Sequence, residues 1–173
     1  AEAAERSLWL LARHDRGHHR AFLRGTASFT LVTDPPGAEV FLAPYEARGR
    51  RLSPGAERSL GRTPLVEVDL PPGSYQCRIV APGRQEVIYP VFLERAGRWD
   101  GVRPGDTDPW PVWLPAEGAL GPDEVYVPAG WFVAGGDTQA PDGQSRRRVW
   151  VDALLIQRFP VTNDEYLRFI NQL

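Results

Sequence analysis

Methionine is absent from this chain of 173 residues, and cysteine occurs once. A single Cys77 allows no intrachain disulfide, so the chain is not a small scaffold stapled by disulfides. Cys77 lies in the alternating stretch SYQCRIV with no obvious base or metal partner beside it, and it reads as a small buried hydrophobe. A strong charge of either sign is lacking too: the net charge is -2 and the isoelectric point near 6.0. Neither a polyanion nor an anionic membrane surface is drawn strongly to the chain as a whole, and nucleic acid is not an expected partner. Arginine is the main cation, and its one dense run, Arg146 to Arg148, reads as a solvated loop. No apolar run approaches the ~20 residues that span a bilayer, and no signal peptide is visible. A cytoplasmic location is expected, with a periplasmic or envelope-associated one as the alternative. With no methionine to start on and an end inside the helical pattern RFINQL, the chain is expected to be a piece of something longer.

What is present is organised by period. Glu2 to Arg13 holds helix formers with Leu8, Leu11 and Ala12 on one face, and a second short helical stretch runs to Leu23. Together, residues 1–25 read as a helical lead-in. His14 and His18 have the i, i+4 spacing of a zinc pair, but Gly17 interrupts the helix and Asp15 is off that face. A solvated polar junction is expected there, without metal.

From Ala27 the period becomes two. ASFTLVT, PPGAEVFLA, TPLVEVDL, GSYQCRIVA and RQEVIYPVFLE are short alternating runs bounded by Gly, Pro and Asp. They predict an antiparallel sheet or small β-sandwich over residues 26–96. The polar interval from Pro44 to Arg62 is predicted as a long exposed loop. Proline fixes φ and glycine permits positive φ, so Pro35 to Gly37 and Pro71 to Gly73 are predicted to close tight hairpins.

Three of these turns carry a resemblance. Pro35 to Ala38, with Gly37, then Gly61 to Pro64, then Leu70 to Tyr75, with Gly73, occur in the order found in PEGA domains, which residues 27–95 resemble. The resemblance implies a small β-sandwich without a known catalytic site, of the kind found in bacterial envelope proteins and beside signalling kinases.

Residues 97–123 are rich in Pro, Gly and Asp and read as a connector. They contain Trp99, Trp110 and Trp113. These tryptophans are expected to pin the connector between domains, and the alternative is an aromatic platform for a sugar or peptide. Asp100, Asp106 and Asp108 lack the spacing of a calcium loop.

Residues 124–173 read as strand, glycine turn, loop, strand and helix, with Thr162 or Asn163 as the cap and Tyr166, Phe169 and Ile170 as the apolar face. Val127 to Gly135, including Pro128 and Gly130, is followed by Ser145 to Val151 and then by Val161, Thr162, Asn163, Tyr166 and Phe169. This order is similar to the opening of the formylglycine-generating enzyme (sulfatase-modifying factor) family, whose fold is related to the C-type lectin fold. Arg147 stands where the family has histidine, Leu154 where it has phenylalanine, and Ala134 where methionine is common. The family's paired copper-binding cysteines and its calcium ligands lie beyond the stretch matched. Copper held by thiolates has no ligand set in a chain whose one cysteine is Cys77.

The expectation is therefore mainly β: a short helical segment, a PEGA-like antiparallel sandwich, then an incomplete α+β lectin-like segment. About fifty residues bury too little to hold a core alone, so the last segment is expected to pack on a second polypeptide or on the sandwich. The domain company resembles the C-terminal region of bacterial serine/threonine kinases, although no kinase motif is present. The function expected is a non-catalytic interaction or sensing module binding a protein, peptide or glycan, with no catalytic residue, cofactor or metal in this chain. The partner can be the remaining part of the same domain as a separate chain. The alternatives are part of a formylglycine-generating oxidase and a lectin-like ligand-display protein.

Overall fold

In the computed structural model, residues 2–14, 23 and 25–172 are described. The second helical stretch, Gly17 and His18 fall outside them, and with them the His14–His18 pairing. The chain divides into two compact units, Ala1–Leu114 and Pro115–Leu173. Mainly β architecture is what the strand pattern predicts, and the structure has it. No described helix is long and apolar enough to cross a membrane.

The first unit opens on α1 (Glu2–His14), with Trp9 exposed and the Arg13 guanidinium 5.4 Å from its ring centroid. Ten strands follow: β1 (Ala27–Leu31), β2 (Thr33–Asp34), β3 (Glu39–Arg48), β4 (Arg51–Pro54), β5 (Arg58–Arg62), β6 (Leu65–Leu70), β7 (Gly73–Val80), β8 (Val87–Leu93), β9 (Arg98–Trp99) and β10 (Val112–Trp113). One sheet runs β6-β1-β9 and a larger one β4-β3-β7-β8, with β5 also on β3. Alternation decides which side is inside. On β8, Val87, Tyr89, Val91 and Leu93 are buried while Ile88, Pro90 and Phe92 are exposed. On β7, Tyr75, Cys77 and Ile79 are buried, and Phe29, Leu31, Val40 and Leu42 join them from β1 and β3. Tyr89 of the larger sheet meets Trp99 of the smaller edge-on, with centroids 5.7 Å apart, an arrangement aromatic pairs favour.

Two expectations are corrected here. The Pro-Gly turns are not hairpins. β1 pairs with β6 and β9, and β3 pairs with β4, β5 and β7, so the chain leaves one sheet for the other at Pro35–Gly37. It crosses again between β6 and β7 at Pro71–Gly73. Proline and glycine interrupt the strands there, with Gly37 at φ +86, but which strand pairs with which is a long-range choice that a few turn residues do not encode. The crossings are instead tied down by hydrogen bonds. Thr63 Oγ1 accepts from the backbone N–H of Gly37 and of Ala38, each at 3.1 Å, and Tyr75 OH donates to the Pro71 carbonyl at 2.8 Å.

The interval from Pro44 to Arg62 is exposed but is not a loop: it contains the end of β3, then β4 and β5. Both faces of these strands meet water, so no apolar alternation marks them. The outer face of the larger sheet carries Arg78. Its guanidinium lies 4.4 Å from the Phe41 ring centroid, makes two 2.7 Å bonds to Glu57 and reaches Glu86 at 3.2 Å. The Arg78 hydrogen bonds hold the Glu57 carboxyl below its ordinary range.

The second unit has two ribbons and a helix. β11 (Glu124–Val127) pairs with β14 (Leu154–Gln157), and β12 (Gly130–Ala134) pairs with β13 (Arg147–Val151), both antiparallel. α2 (Asn163–Ile170) follows.

Candidate functional site

Isolated two-stranded ribbons are marginal in water, so each here needs side-chain support. In β12–β13, Trp131 and Trp150 are direct cross-strand partners, edge-on with centroids 5.7 Å apart. The Arg148 guanidinium lies 4.8 Å from the Trp131 ring, and Trp150 Nε1 donates to Asp152 at 3.1 Å. This ladder was missed from sequence, although two tryptophans in facing alternating runs are its visible signal. Arg148, one of the three arginines expected in a solvated loop, is on β13, as is Arg147. Gly135, at φ +70, sits where a Cβ would come within 2.6 Å of the Gln144 carbonyl oxygen, so this position accepts only glycine without a shift.

α2 starts on a full capping box. Thr162 Oγ1 accepts from the Glu165 N–H at 3.3 Å, and the Glu165 carboxylate accepts from the Thr162 N–H at 2.7 Å. That backbone bond, with the Thr162 hydroxyl, lowers the Glu165 carboxyl below its ordinary range. Arg168 and Asp164 pair one turn apart along the same helix.

This helix is locally well made, yet none of its residues is buried. Val161, Tyr166 and Phe169, three of the five residues of the family-like helix motif, are 69%, 57% and 57% exposed. Phe132, Leu155, Ile156 and Phe159 are exposed with them, while Pro128 is buried at the β11–β12 corner. Thr162 is the cap and Asn163 the first helical residue. On both ribbons and on the helix of the second unit, therefore, no side chain is fully buried.

The connector's tryptophans have three different settings. Trp99, on β9, is in the sandwich core against Tyr89. Trp110 is 45% exposed beneath the Arg103 guanidinium, 4.6 Å from its ring, and Trp113, on β10, is 44% exposed. β9 and β10 pair in parallel with β1 and β2, so much of the connector is built into the first unit. Of the turn residues, Pro35, Gly37, Gly61, Pro64, Gly73 and Tyr75 all lie at or beside the inter-sheet crossings.

Among the described residues, no three His, Cys, Asp or Glu side chains gather as a metal would require. Burial pushes the Cys77 thiol up to about 12, which keeps it protonated and poor as a nucleophile or ligand. A shallow depression of about 240 Å³ is bordered by Gly37, Glu39, Arg62, Val80, Ala81 and Pro82. Its two charged side chains, Glu39 and Arg62, are 2.7 Å apart and satisfy each other. Compared with protein-family models, curated proteins and solved structures, the chain matches none.

Proposed function

We propose that this chain is a non-catalytic interaction module of a larger bacterial signalling protein, in which a PEGA-like sandwich carries a lectin-like segment that binds a protein, peptide or glycan. One observation carries the reading: Val161, just ahead of the cap, and Tyr166 and Phe169, on a helix that is capped and buries nothing, all expose their apolar side chains. Exposed apolar patches of this kind mark interaction surfaces. The occupant that fits is the rest of a lectin-like core, supplied by another polypeptide segment. A serine/threonine kinase as the parent, and the cytoplasm as its location, go with this reading and rest on the domain resemblance alone. Exposed Trp110 and Trp113 favour, as a second reading, a lectin-like display of aromatic rings to a sugar or peptide. The oxidase alternative would need thiolates other than that of the buried Cys77.

Surface plasmon resonance of the immobilised chain over peptide and glycan libraries tests the proposal, with a Y166S/F169S variant in parallel. Binding that disappears in the variant, without turnover, supports it. Conversion of a sulfatase-derived cysteine peptide to formylglycine, followed by mass, would overturn it.

A further inference from the structure

Residues 45–54 carry β3 and β4 past the rest of their sheet. β3 pairs with β7 as far as Pro44, opposite Tyr75. Beyond that it pairs with β4 alone, from Tyr45 opposite Pro54 to Arg48 opposite Arg51. No side chain in this arm is buried. Ordering ten residues costs conformational entropy, and here no core burial offsets it.

The arm's charge is arranged against its own stability. Arg48 and Arg51 are direct cross-strand partners, and like charges so placed repel. Arg50 occupies the turn between them. Glu46 is 3.4 Å from Arg48, with both side chains more than half exposed, and among the described residues Arg50 and Arg51 have no ion-pair partner. The chain contains no lysine, so all its cationic forks have the planar geometry that takes carboxylates in pairs.

The backbone of β4 is poised as well. A two-residue turn at Gly49, φ +65, makes Arg48 and Arg51 the hydrogen-bonded pair of the ladder. The bond from the Gly55 N–H to the Pro44 carbonyl, at 2.8 Å, keeps the same phase. By alternation the N–H and C=O of Leu52 face away from β3, along an edge that carries no other strand among the described residues. The Leu52 side chain is 67% exposed.

We propose that this arm is a docking edge for an acidic, extended segment of a partner protein. The segment adds beside β4 through the backbone of Leu52, and its carboxylates take Arg48, Arg50 and Arg51. One exposed leucine and three arginines are too little to anchor on a lipid surface. On the neighbouring strands Arg62 and Arg78 are paired with carboxylates and only Arg58 adds to the arm's charge, too few cations for a basic stripe that takes nucleic acid. This surface is independent of the apolar row on α2.

The test is fluorescence anisotropy of the full chain with a labelled peptide of alternating Glu and Val, against its Gln–Val counterpart. The Glu peptide binds more tightly, and R48Q/R51Q weakens it roughly tenfold, as expected for losing two charge-assisted contacts. Leu52→Pro removes the outward N–H while leaving the inward ladder, and it also weakens binding; thermal melts confirm that each variant is folded. Equal binding of the two peptides, unchanged affinity in R48Q/R51Q or in L52P, or preferential binding to phosphatidylserine vesicles overturns the proposal.

Discussion

The hydroxyl oxygens of Thr33 and Thr63 lie 2.5 Å apart where the chain crosses between sheets. Thr33 spends its one proton on the Pro35 carbonyl at 2.8 Å, so Thr63 must be the donor between them. Thr63 is then left to accept from Gly37 and Ala38. Thr63→Val would strand the Ala38 N–H and remove the only proton between the two oxygens. Urea unfolding should show a loss of about 2 kcal/mol with the slope unchanged, and Thr63→Ser should lose less than half of that.

Cys77 gives a pH dependence with a definite sign. Its folded pKa, about 12, is raised by burial above the unfolded value of roughly 8.5. The unfolded chain therefore releases this proton first, so the contribution is complete below about pH 8.5 and is lost as pH rises toward 12. Cys77→Ala should flatten the alkaline limb of a stability–pH curve. In the native chain the thiol should resist a disulfide reagent at neutral pH and react fully in denaturant.

The Arg78 cluster predicts a titration. In carbon-detected NMR the Glu57 carboxyl should titrate below ordinary glutamates, and Arg78→Gln should return it to the usual range. Arg78→Lys should fail to restore the shift in full, because an ammonium cannot make the paired bonds to Glu57 and lie flat over Phe41.

α2 has no burial to hold it, so its cap decides its population. Thr162→Ala should cost about 1 kcal/mol of helix stability and remove amide protection across residues 163–170. Because the Glu165 pKa is lowered, its contribution is present above the unfolded glutamate value and is lost as pH falls through the folded one. The helix should fray in acid before the sandwich unfolds, and Glu165→Gln should weaken that acid dependence.

Period-two alternation made β7, β8 and the first half of β3 legible, because each has one buried face and one wet one, whereas β6 buries only its two ends, Leu65 and Leu70, and breaks the alternation between them. β4 and β5 were hidden because they have no buried face, and β9 and β10 because two residues show no period. The cap was legible only as Thr162 or Asn163, and the reciprocal bonds between Thr162 and Glu165 three residues on decide for Thr162. The exposure of Tyr166 and Phe169 could not be read, since an apolar helix face looks the same covered or bare. Nor could the three settings of Trp99, Trp110 and Trp113, which depend on strands far away in sequence.

The parallel pairings of β1 with β9 and of β2 with β10 set how this unit bears load. The first strands and the last lie side by side and point the same way. Tension drawn between the two ends of the unit would slide them past each other in shear. The bonds from Ser28 to Gly97, Val112 to Val32 and Leu114 to Asp34 would then be strained together instead of parting one at a time like a zip. Pulled from Ala27 and Leu114, the sandwich would therefore be loaded as a clamp in shear.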